Sequence, residues 1–144
     1  MVRPRWTERQ GKQTSSSNEA ETGRQRVYEA NKQQRYYIWK ENQAKAQSEL
    51  WTDPKGYYFL NIMVVLPETQ GKGIGKLLMA EVTDQADREG MKCYLESSRD
   101  VPNMQIYGRM GFQFAKQMDC DDDGVICKLF CMIREPQGAP SNGA

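Results

Sequence analysis

Residues 57–90 read YYFLNIMVVLPETQGKGIGKLLMAEVTDQADREG, and this stretch decides the fold. Its beginning is rich in aromatic and β-branched side chains, which predicts a strand over residues 57–65. After the loop, apolar residues recur at every fourth position from Ile74 to Ala86, which predicts an amphipathic helix that Gly90 can end in the left-handed conformation. The stretch therefore predicts a strand and a helix joined by a glycine-rich loop.

The C-terminal part of the sequence continues this alternation of strands and helices. MKCYLES at residues 91–97 predicts a second strand, and a short helix follows that ends at Gly111. Two final strands are predicted over residues 112–115 and 124–133, joined across the acidic turn DCDDDG. The order is strand, helix, strand, helix, strand, strand, which indicates the α/β class.

The composition of the 144 residues excludes several classes of catalytic and binding site. There is no histidine, which removes serine–histidine and cysteine–histidine dyads, histidine-ligated zinc and imidazole acid–base catalysis. The 20 basic and 19 acidic residues leave a net charge of +1, which offers no global field for a nucleic acid or an anionic membrane. We therefore expect neither of these as a partner.

The four cysteines lack CxxC spacing, which argues against a zinc cluster or a disulfide framework. We expect Cys93, Cys120, Cys127 and Cys131 to be reduced and mostly packed as small apolar side chains, and we expect no metal site. No apolar run is long enough to cross a bilayer, and the sequence has no recognisable secretory signal. These features predict a cytoplasmic protein.

The N-terminal part of the sequence is more basic than the rest. Ten basic and six acidic residues precede position 51, whereas ten basic and thirteen acidic residues follow. Residues 1–27 contain almost no apolar side chains and are predicted to be a disordered polar tail. The alanine, glutamine, lysine and glutamate content of residues 27–50 predicts a helix. The predicted organisation is this tail, one domain over residues 28–136 and a disordered C-terminal tail over residues 137–144.

The loop at residues 70–75, QGKGIG, lies between the first predicted strand and the start of the helix. Glycines let a backbone approach a ligand, and the free N–H groups at a helix start bind anions. A Walker A loop would need a glycine at Gln70 and a hydroxyl residue at Leu77, and a dinucleotide fingerprint would need a glycine at Lys76. The loop therefore predicts an anion site that fits neither motif, and a tight turn without a ligand is the alternative.

Two ordered motifs resemble those of the Gcn5-related N-acetyltransferases. The first is Gln-x-x-Gly-x-Gly at residues 70–75, after a segment ending in Val-Val-Leu-Pro. The second is Asn-x-x-x-Tyr-x-x-x-Gly-Phe at residues 103–112, and Leu-Glu-Ser-Ser at residues 95–98 is similar to the puromycin N-acetyltransferase branch. The resemblance covers residues 28–136. It implies a mixed sheet, acetyl-coenzyme A as the cofactor, and acetyl transfer to an amine of a small molecule.

The resemblance also implies roles for individual residues. Tyr107 matches the general acid that protonates the departing thiolate, a role that suits a phenol because it is protonated at neutral pH. Glu96, at the end of the second strand, is the candidate general base. The cofactor would bind along the first strand, on the glycine loop and on the next helix, through Met63, Val64, Val65, Gln70, Gly71, Lys72, Gly73, Ile74, Gly75, Lys76 and Asn103.

Each assignment has a simpler structural alternative that the sequence leaves open. Tyr107 can be a packing residue of an amphipathic helix, Glu96 a solvated carboxylate and Asn103 a helix-start residue. The acidic residues 119–123 lack the ligand spacing of an EF-hand, and a solvated turn accounts for them.

The resemblance further implies that part of the fold is absent. The family's domain begins with a strand, two helices and two further strands before the strand at Tyr57, whereas this sequence offers one helix there. We therefore expect a truncated N-terminal half, a strand edge open to pairing, and a homodimer formed through that edge. A non-catalytic coenzyme A-binding or protein-interaction module, derived from a truncated acetyltransferase, is the alternative function.

Overall fold

The structure is a computed structural model that describes residues 15–138. The chain divides into two compact units, Met1–Tyr36 and Tyr37–Ala144, and the second unit carries the sheet. The helices are α1 (Ser15–Leu50), α2 (Ile74–Glu89) and α3 (Asn103–Arg109), with a 3₁₀ turn over Pro67–Thr69. The strands are β1 (Tyr57–Leu60), β2 (Lys92–Ser97), β3 (Gln113–Asp122) and β4 (Val125–Arg134).

The four strands form one mixed sheet in the order β1-β2-β4-β3. β1 is parallel to β2, with Tyr57 opposite Lys92 and Leu60 opposite Leu95. β4 is antiparallel to both of its neighbours, β2 and β3. A parallel pair needs a crossover connection, and α2 provides it. The α/β class and the order of elements predicted from the sequence are confirmed.

The two faces of the sheet pack against different helices. On one face, Cys93 and Leu95 of β2 pack with Ala86 of α2. On the other face, Tyr94 packs in a cluster with Ala46 of α1. This division follows from the strand period of two, which sends successive side chains to opposite faces. The C-terminal part of α1 thus covers one face of the sheet and α2 covers the other.

β1 is shorter than predicted, because it ends at Leu60 rather than at residue 65. Beyond the Leu60–Leu95 pair, residues 61–66 leave the sheet and pair with no strand within the described part of the chain. The β-branched composition predicts an extended backbone, but it contains no information on where the partner strand diverges. The result is an opening between the end of β1 and β2.

The last hairpin also differs from the prediction. β3 continues through the acidic stretch predicted as a turn. Met118 and Cys120 are buried there and their neighbours in the strand are exposed or half-buried, so this stretch is an amphipathic strand whose aspartates face solvent. The turn itself consists of Asp123 and Gly124, which both have the positive φ of a type I′ turn.

α1 begins at Ser15, whereas the sequence predicts a helix only from residue 27. Residues 15–26 include glutamate, alanine, glutamine and arginine, which favour helix even where few apolar side chains are available to pack. Residues 1–14 and 139–144, which belong to the two predicted tails, lie outside the described residues. The domain boundaries drawn from the sequence stay a prediction.

All four cysteines are free, and three of them, Cys93, Cys120 and Cys131, are buried. Burial raises the pKa of each of these three thiols. The predicted packing is wrong for Cys127, which is exposed near the hairpin turn. Between residues 15 and 138, no group of three or more cysteine, aspartate or glutamate side chains is arranged so that it could hold a metal ion. In the same range, no helix is both long and apolar enough to cross a membrane.

An ion pair at the end of β4 connects the sheet to α2. The Arg134 Nη1 and Nη2 atoms lie 2.6 and 2.8 Å from the two carboxylate oxygens of Asp87, and Arg134 Nε donates to the Met110 carbonyl at 3.0 Å. The Gln137 N–H donates to the same carboxylate at 2.7 Å. Arg134 is only 5% exposed. The guanidinium beside Asp87 lowers the pKa of that carboxyl below its ordinary value of 3.8.

We expect Arg134→Met to lower the free energy of unfolding by about 3–5 kcal/mol, because it leaves the Asp87 carboxylate without its cation. Lys92→Met is the control, since Glu135 of the Lys92–Glu135 pair is exposed and such a pair contributes about 0–1 kcal/mol. Urea unfolding at neutral pH measures both losses. Equal losses in the two variants would show that burial of the Arg134–Asp87 pair does not make it more important for stability than the exposed Lys92–Glu135 pair.

The same ion pair predicts how stability depends on pH. The native-state pKa of Asp87 lies below its ordinary value, so the stabilisation is fully present above pH 3.8. It is lost as the pH falls through the lower native value. The difference in unfolding free energy between the wild type and Arg134→Met should therefore shrink only as the pH falls below 3.8.

Candidate functional site

The opening beside β1 leads into a cavity of about 400 Å³. Met63 and Val65, from the segment after β1, line one side of it, and the loop at residues 69–76 lines another. The third side is α3, through Asn103 and Tyr107 among others. The two motifs that resemble the acetyltransferase family therefore meet in one cavity.

The glycine loop places the start of α2 at this cavity. Gly71 and Gly73 have φ angles of 76° and 79°, and open space lies where a Cβ atom would stand on either residue. Gly73 is the N-cap of α2, and no side chain caps the helix. The Leu77 N–H donates a hydrogen bond to the Gly73 carbonyl at 3.1 Å, which is the first backbone hydrogen bond of the helix. The earlier N–H groups of the first turn are thus available to an anion.

Two side chains fix the loop and α3 to the neighbouring strands. Gln70 Nε2 donates to the Val65 carbonyl at 3.1 Å, which ties the loop to the segment after β1. Asn103 Nδ2 donates to Ser97 Oγ at 3.3 Å, and Ser97 Oγ donates to the Arg99 carbonyl at 2.7 Å. The cavity walls are therefore held by hydrogen bonds to the segment after β1 and to the end of β2.

Tyr107 lies on the α3 side of the cavity. Its ring is half-buried and packs edge-on against Phe112, with the ring centroids 6.1 Å apart. Within the described part of the chain, the Tyr107 hydroxyl makes no hydrogen bond, so it can donate to a ligand. Packing and catalysis are compatible here, since the ring contacts the core while the hydroxyl is unengaged.

The lining of the cavity combines three kinds of surface. Free amides and the Lys76 side chain offer positive potential at the loop. Met63, Ile106 and Met110 supply apolar surface, and the Tyr107 phenol supplies a proton donor. This arrangement suits an elongated ligand that has an anionic end, an apolar middle and a reactive group near a phenol.

The structure brings together all of the predicted site residues except Val64, Lys72 and Glu96. Val64 instead lines a second, apolar cavity of about 520 Å³ between β1 and α2. Sequence reasoning missed Ile106 and Met110, although both lie on the Tyr107 side of α3 at helical spacing and could have been found from that period.

Glu96 lies on the other face of the sheet. Glu96 Oε2 accepts a hydrogen bond from Gln43 of α1 at 2.8 Å, and Oε1 accepts one from the Tyr94 hydroxyl at 2.8 Å. Burial raises the pKa of Tyr94, which keeps this hydroxyl a donor. Gln43 follows no motif and is far from Glu96 in sequence, so no sequence signal indicates the contact. The role of Glu96 as general base stays a prediction.

Comparison with known proteins bears on these motifs. Residues 32–114 match the family profile described as "Acetyltransferase (GNAT) domain". Two uncharacterized N-acetyltransferases of Schizosaccharomyces pombe are 33% and 30% identical to this chain over 96 residues. The matches cover 67% and 65% of this chain but only 38% and 40% of the yeast proteins. The chain thus spans about two fifths of the length of these relatives.

A solved structure shows the same fold. Arabidopsis thaliana NAA60, crystallised with a bisubstrate analogue, superposes with a TM-score of 0.51 at 18% identity. The superposition covers 65% of this chain and 57% of the plant protein. The profile match spans more than half of the residues and includes both the glycine loop and the Asn103–Tyr107 motif. This chain therefore belongs to the GNAT acetyltransferase family.

Proposed function

We propose that the protein is an acetyl-coenzyme A-dependent N-acetyltransferase that acts on an amine of a small molecule. One observation supports this proposal above the others: the glycine loop, the segment after β1 and the Asn103–Tyr107 motif line a single cavity. The lining of that cavity, with free amides, apolar side chains and a phenol, suits an acyl carrier that has a diphosphate.

The residues present fit acetyl-coenzyme A. Its diphosphate would lie on the uncapped amides at the start of α2, with Lys72 and Lys76 adding positive charge. The empty space at the Gly71 and Gly73 Cβ positions allows close approach of a phosphate. The pantetheine arm would pair with the backbone of residues 63–65, which pairs with no strand in the described part of the chain, as an added strand pairs with a sheet edge.

The reaction follows from this placement. A neutral amine attacks the thioester carbonyl carbon, an N–C bond forms and the C–S bond breaks. The Tyr107 hydroxyl gives its proton to the departing thiolate and is reprotonated from solvent. The nitrogen loses its proton to a base, and Glu96 is proposed for this role, acting through water because its carboxylate lies on the other face of the sheet.

A non-catalytic coenzyme A-binding module is the second candidate, and the position of Glu96 favours it. Both carboxylate oxygens of Glu96 already accept hydrogen bonds, from Gln43 and Tyr94, on the face away from the cavity. In such a module the loop would still hold the diphosphate, but no base would serve the amine. Binding without turnover is the distinguishing property.

Two measurements on the full chain test these functions. Isothermal titration with acetyl-coenzyme A measures binding, and thiol release over a panel of small-molecule amines measures turnover. Binding with turnover is expected. Binding without turnover on any amine favours the second candidate, and absence of binding contradicts both.

The predicted partners and location also remain proposals. β1 is an edge strand, since it pairs only with β2 among the strands of the described residues. We propose that two copies pair through this edge, and that the protein acts in the cytoplasm without a nucleic acid or membrane partner. A place in the puromycin N-acetyltransferase-like branch belongs to the same proposal.

We expect Tyr107→Phe to lower the turnover number by about a hundredfold and to change the affinity for acetyl-coenzyme A little. The hydroxyl is needed when the thiolate departs, whereas the ring packing against Phe112 survives the substitution. Steady-state kinetics with the best amine of the panel measure the effect. Tyr58→Phe is the matched control, because the Tyr58 hydroxyl bonds to Glu89 at 2.6 Å, away from the loop. An unchanged turnover number assigns Tyr107 to packing alone.

A further inference from the structure

The β3–β4 hairpin places two free cysteines opposite each other. Cys120 of β3 and Cys127 of β4 are Cα partners in the antiparallel register. Cys120 is buried and Cys127 is exposed. Directly opposed residues of neighbouring strands project to the same face of the sheet, so the two side chains are neighbours. Neither thiol has a part in the proposed acetyl transfer.

The register of the hairpin sets the distance between the two residues. Asp122 and Val125 close the two-residue turn, and the pair that closes such a turn is hydrogen-bonded. Hydrogen-bonded and non-hydrogen-bonded pairs then alternate, which places the Cα atoms of Cys120 and Cys127 about 5.5 Å apart. The commonest Cα separation of disulfides is about 5.5–6 Å. The Cβ atoms of a hydrogen-bonded pair lie about 5.5 Å apart, whereas those of a disulfide lie about 3.5–4.5 Å apart. A bond between the two sulfur atoms therefore requires side-chain rotation and a local approach of the two strands by about 1 Å, next to the turn that ends the hairpin.

We propose that Cys120 and Cys127 form a thiol-modification site, which closes to an intramolecular disulfide on reaction with a small disulfide oxidant. The exposed Cys127 thiolate attacks one sulfur of the oxidant, which releases one small thiol and leaves a mixed disulfide. The Cys120 thiolate then attacks the Cys127 sulfur and displaces the second small thiol. The two cysteines lose two electrons and two protons, and the oxidant gains them as two thiols.

The environment determines the order of these steps. Burial raises the pKa of Cys120, and the charges of Cys127, Glu96 and Asp119 add to this effect. A buried thiol of this kind reacts slowly with an external reagent, so Cys127 reacts first and Cys120 resolves the mixed disulfide.

The charges beside the site select the oxidant. Asp119 and Asp121 flank Cys120, Asp122 and Asp123 follow it, and Lys128 opposite Asp119 offsets one of these charges. The remaining negative charge attracts a cationic disulfide and repels an anionic one. We therefore expect cystamine to oxidise the hairpin several-fold faster than oxidised glutathione at equal concentration and low salt.

The test treats the reduced full-length protein with cystamine and measures intact mass. The expected product has a mass lower by about 2 Da, the two hydrogens lost, and proteolysis without reductant yields one peptide pair that links Cys120 to Cys127. Dithiothreitol should restore the starting mass. A stable mixed disulfide on the wild-type protein, a link between two chains, or a link to Cys131 would each overturn the proposal.

Two variants separate the roles of the cysteines. Cys120→Ala, which keeps a small apolar side chain in the core, should retain one cysteamine on Cys127, because no thiol resolves the mixed disulfide. Cys127→Ser, at an exposed position, should stay unmodified over the same time. Oxidation of Cys127→Ser at the wild-type rate contradicts the assigned order. Circular dichroism on both variants confirms that they are folded before the reaction is interpreted.

Discussion

Gly73→Asp is expected to raise the dissociation constant for acetyl-coenzyme A by about a hundredfold or more. Gly73 is the N-cap of α2 and borders the cavity beside the uncapped amides. A carboxylate at this point would face a diphosphate, and two like charges about 4 Å apart near a protein surface repel by about 4 kcal/mol. The aspartate would also cap the helix and occupy amides that the ligand needs. Isothermal titration at low and physiological salt measures the loss.

Gly73→Asn separates charge from backbone strain. Gly73 has a φ of 79°, which any side chain tolerates less well than glycine does. Asparagine has nearly the same shape as aspartate, accepts a positive φ equally well and carries no charge. We expect Gly73→Asn to bind more weakly than the wild type but much more tightly than Gly73→Asp. If the two variants bind equally weakly, strain or cap formation accounts for the loss and charge repulsion does not. If Gly73→Asp binds acetyl-coenzyme A as tightly as the wild type, the diphosphate site lies elsewhere.

More of the candidate site than of the surrounding fold could be predicted from the sequence. Gln70, the glycines and Tyr107 carry their chemistry in short motifs, and local rules place a glycine loop between a strand and a helix. The same rules give the order of elements, since periodicity and turn residues are local signals. The structure brings these motifs into one cavity, which two motifs separated by a strand do not by themselves require.

What the sequence could not provide depends on contacts between distant segments. β1 ends at Leu60 because the chain beyond it no longer pairs with β2, and this depends on strand pairing rather than on the β propensity of residues 61–65. The face on which Glu96 lies follows from the register of β2, and its partner Gln43 comes from a helix with little apolar periodicity. A one-residue change of register would have sent Glu96 to the cavity side.

Deleting residues 1–50 is expected to unfold or aggregate the protein, whereas deleting residues 1–26 should leave it folded. The core cluster on the α1 face includes Ala46, with Ile38, Trp39 and Leu50 packed against it, and no described residue before Ile38 belongs to that cluster. The longer deletion would expose the Tyr94 face of the sheet to water. Thermal melts and size-exclusion chromatography with light scattering measure the outcome. A stable fragment of residues 51–144 would show that the helix is dispensable.

A pair of point variants in α1 tests the same packing without shortening the chain. Ala46 is 1% exposed beneath the helix, whereas Ala44 is exposed on its surface. Ala46→Asp buries an unpaired carboxylate, which costs several kcal/mol of a total stability of about 5–15 kcal/mol, so this variant should be largely unfolded at 37 °C. Ala44→Asp makes the same change in helix propensity and net charge at a solvent-exposed site. This variant should lose only about 0.5–1 kcal/mol of unfolding free energy, which is the cost in helix propensity alone. The two positions differ in burial and not in their tendency to form helix. Equal melting temperatures for the two variants would mean that α1 does not pack on the sheet.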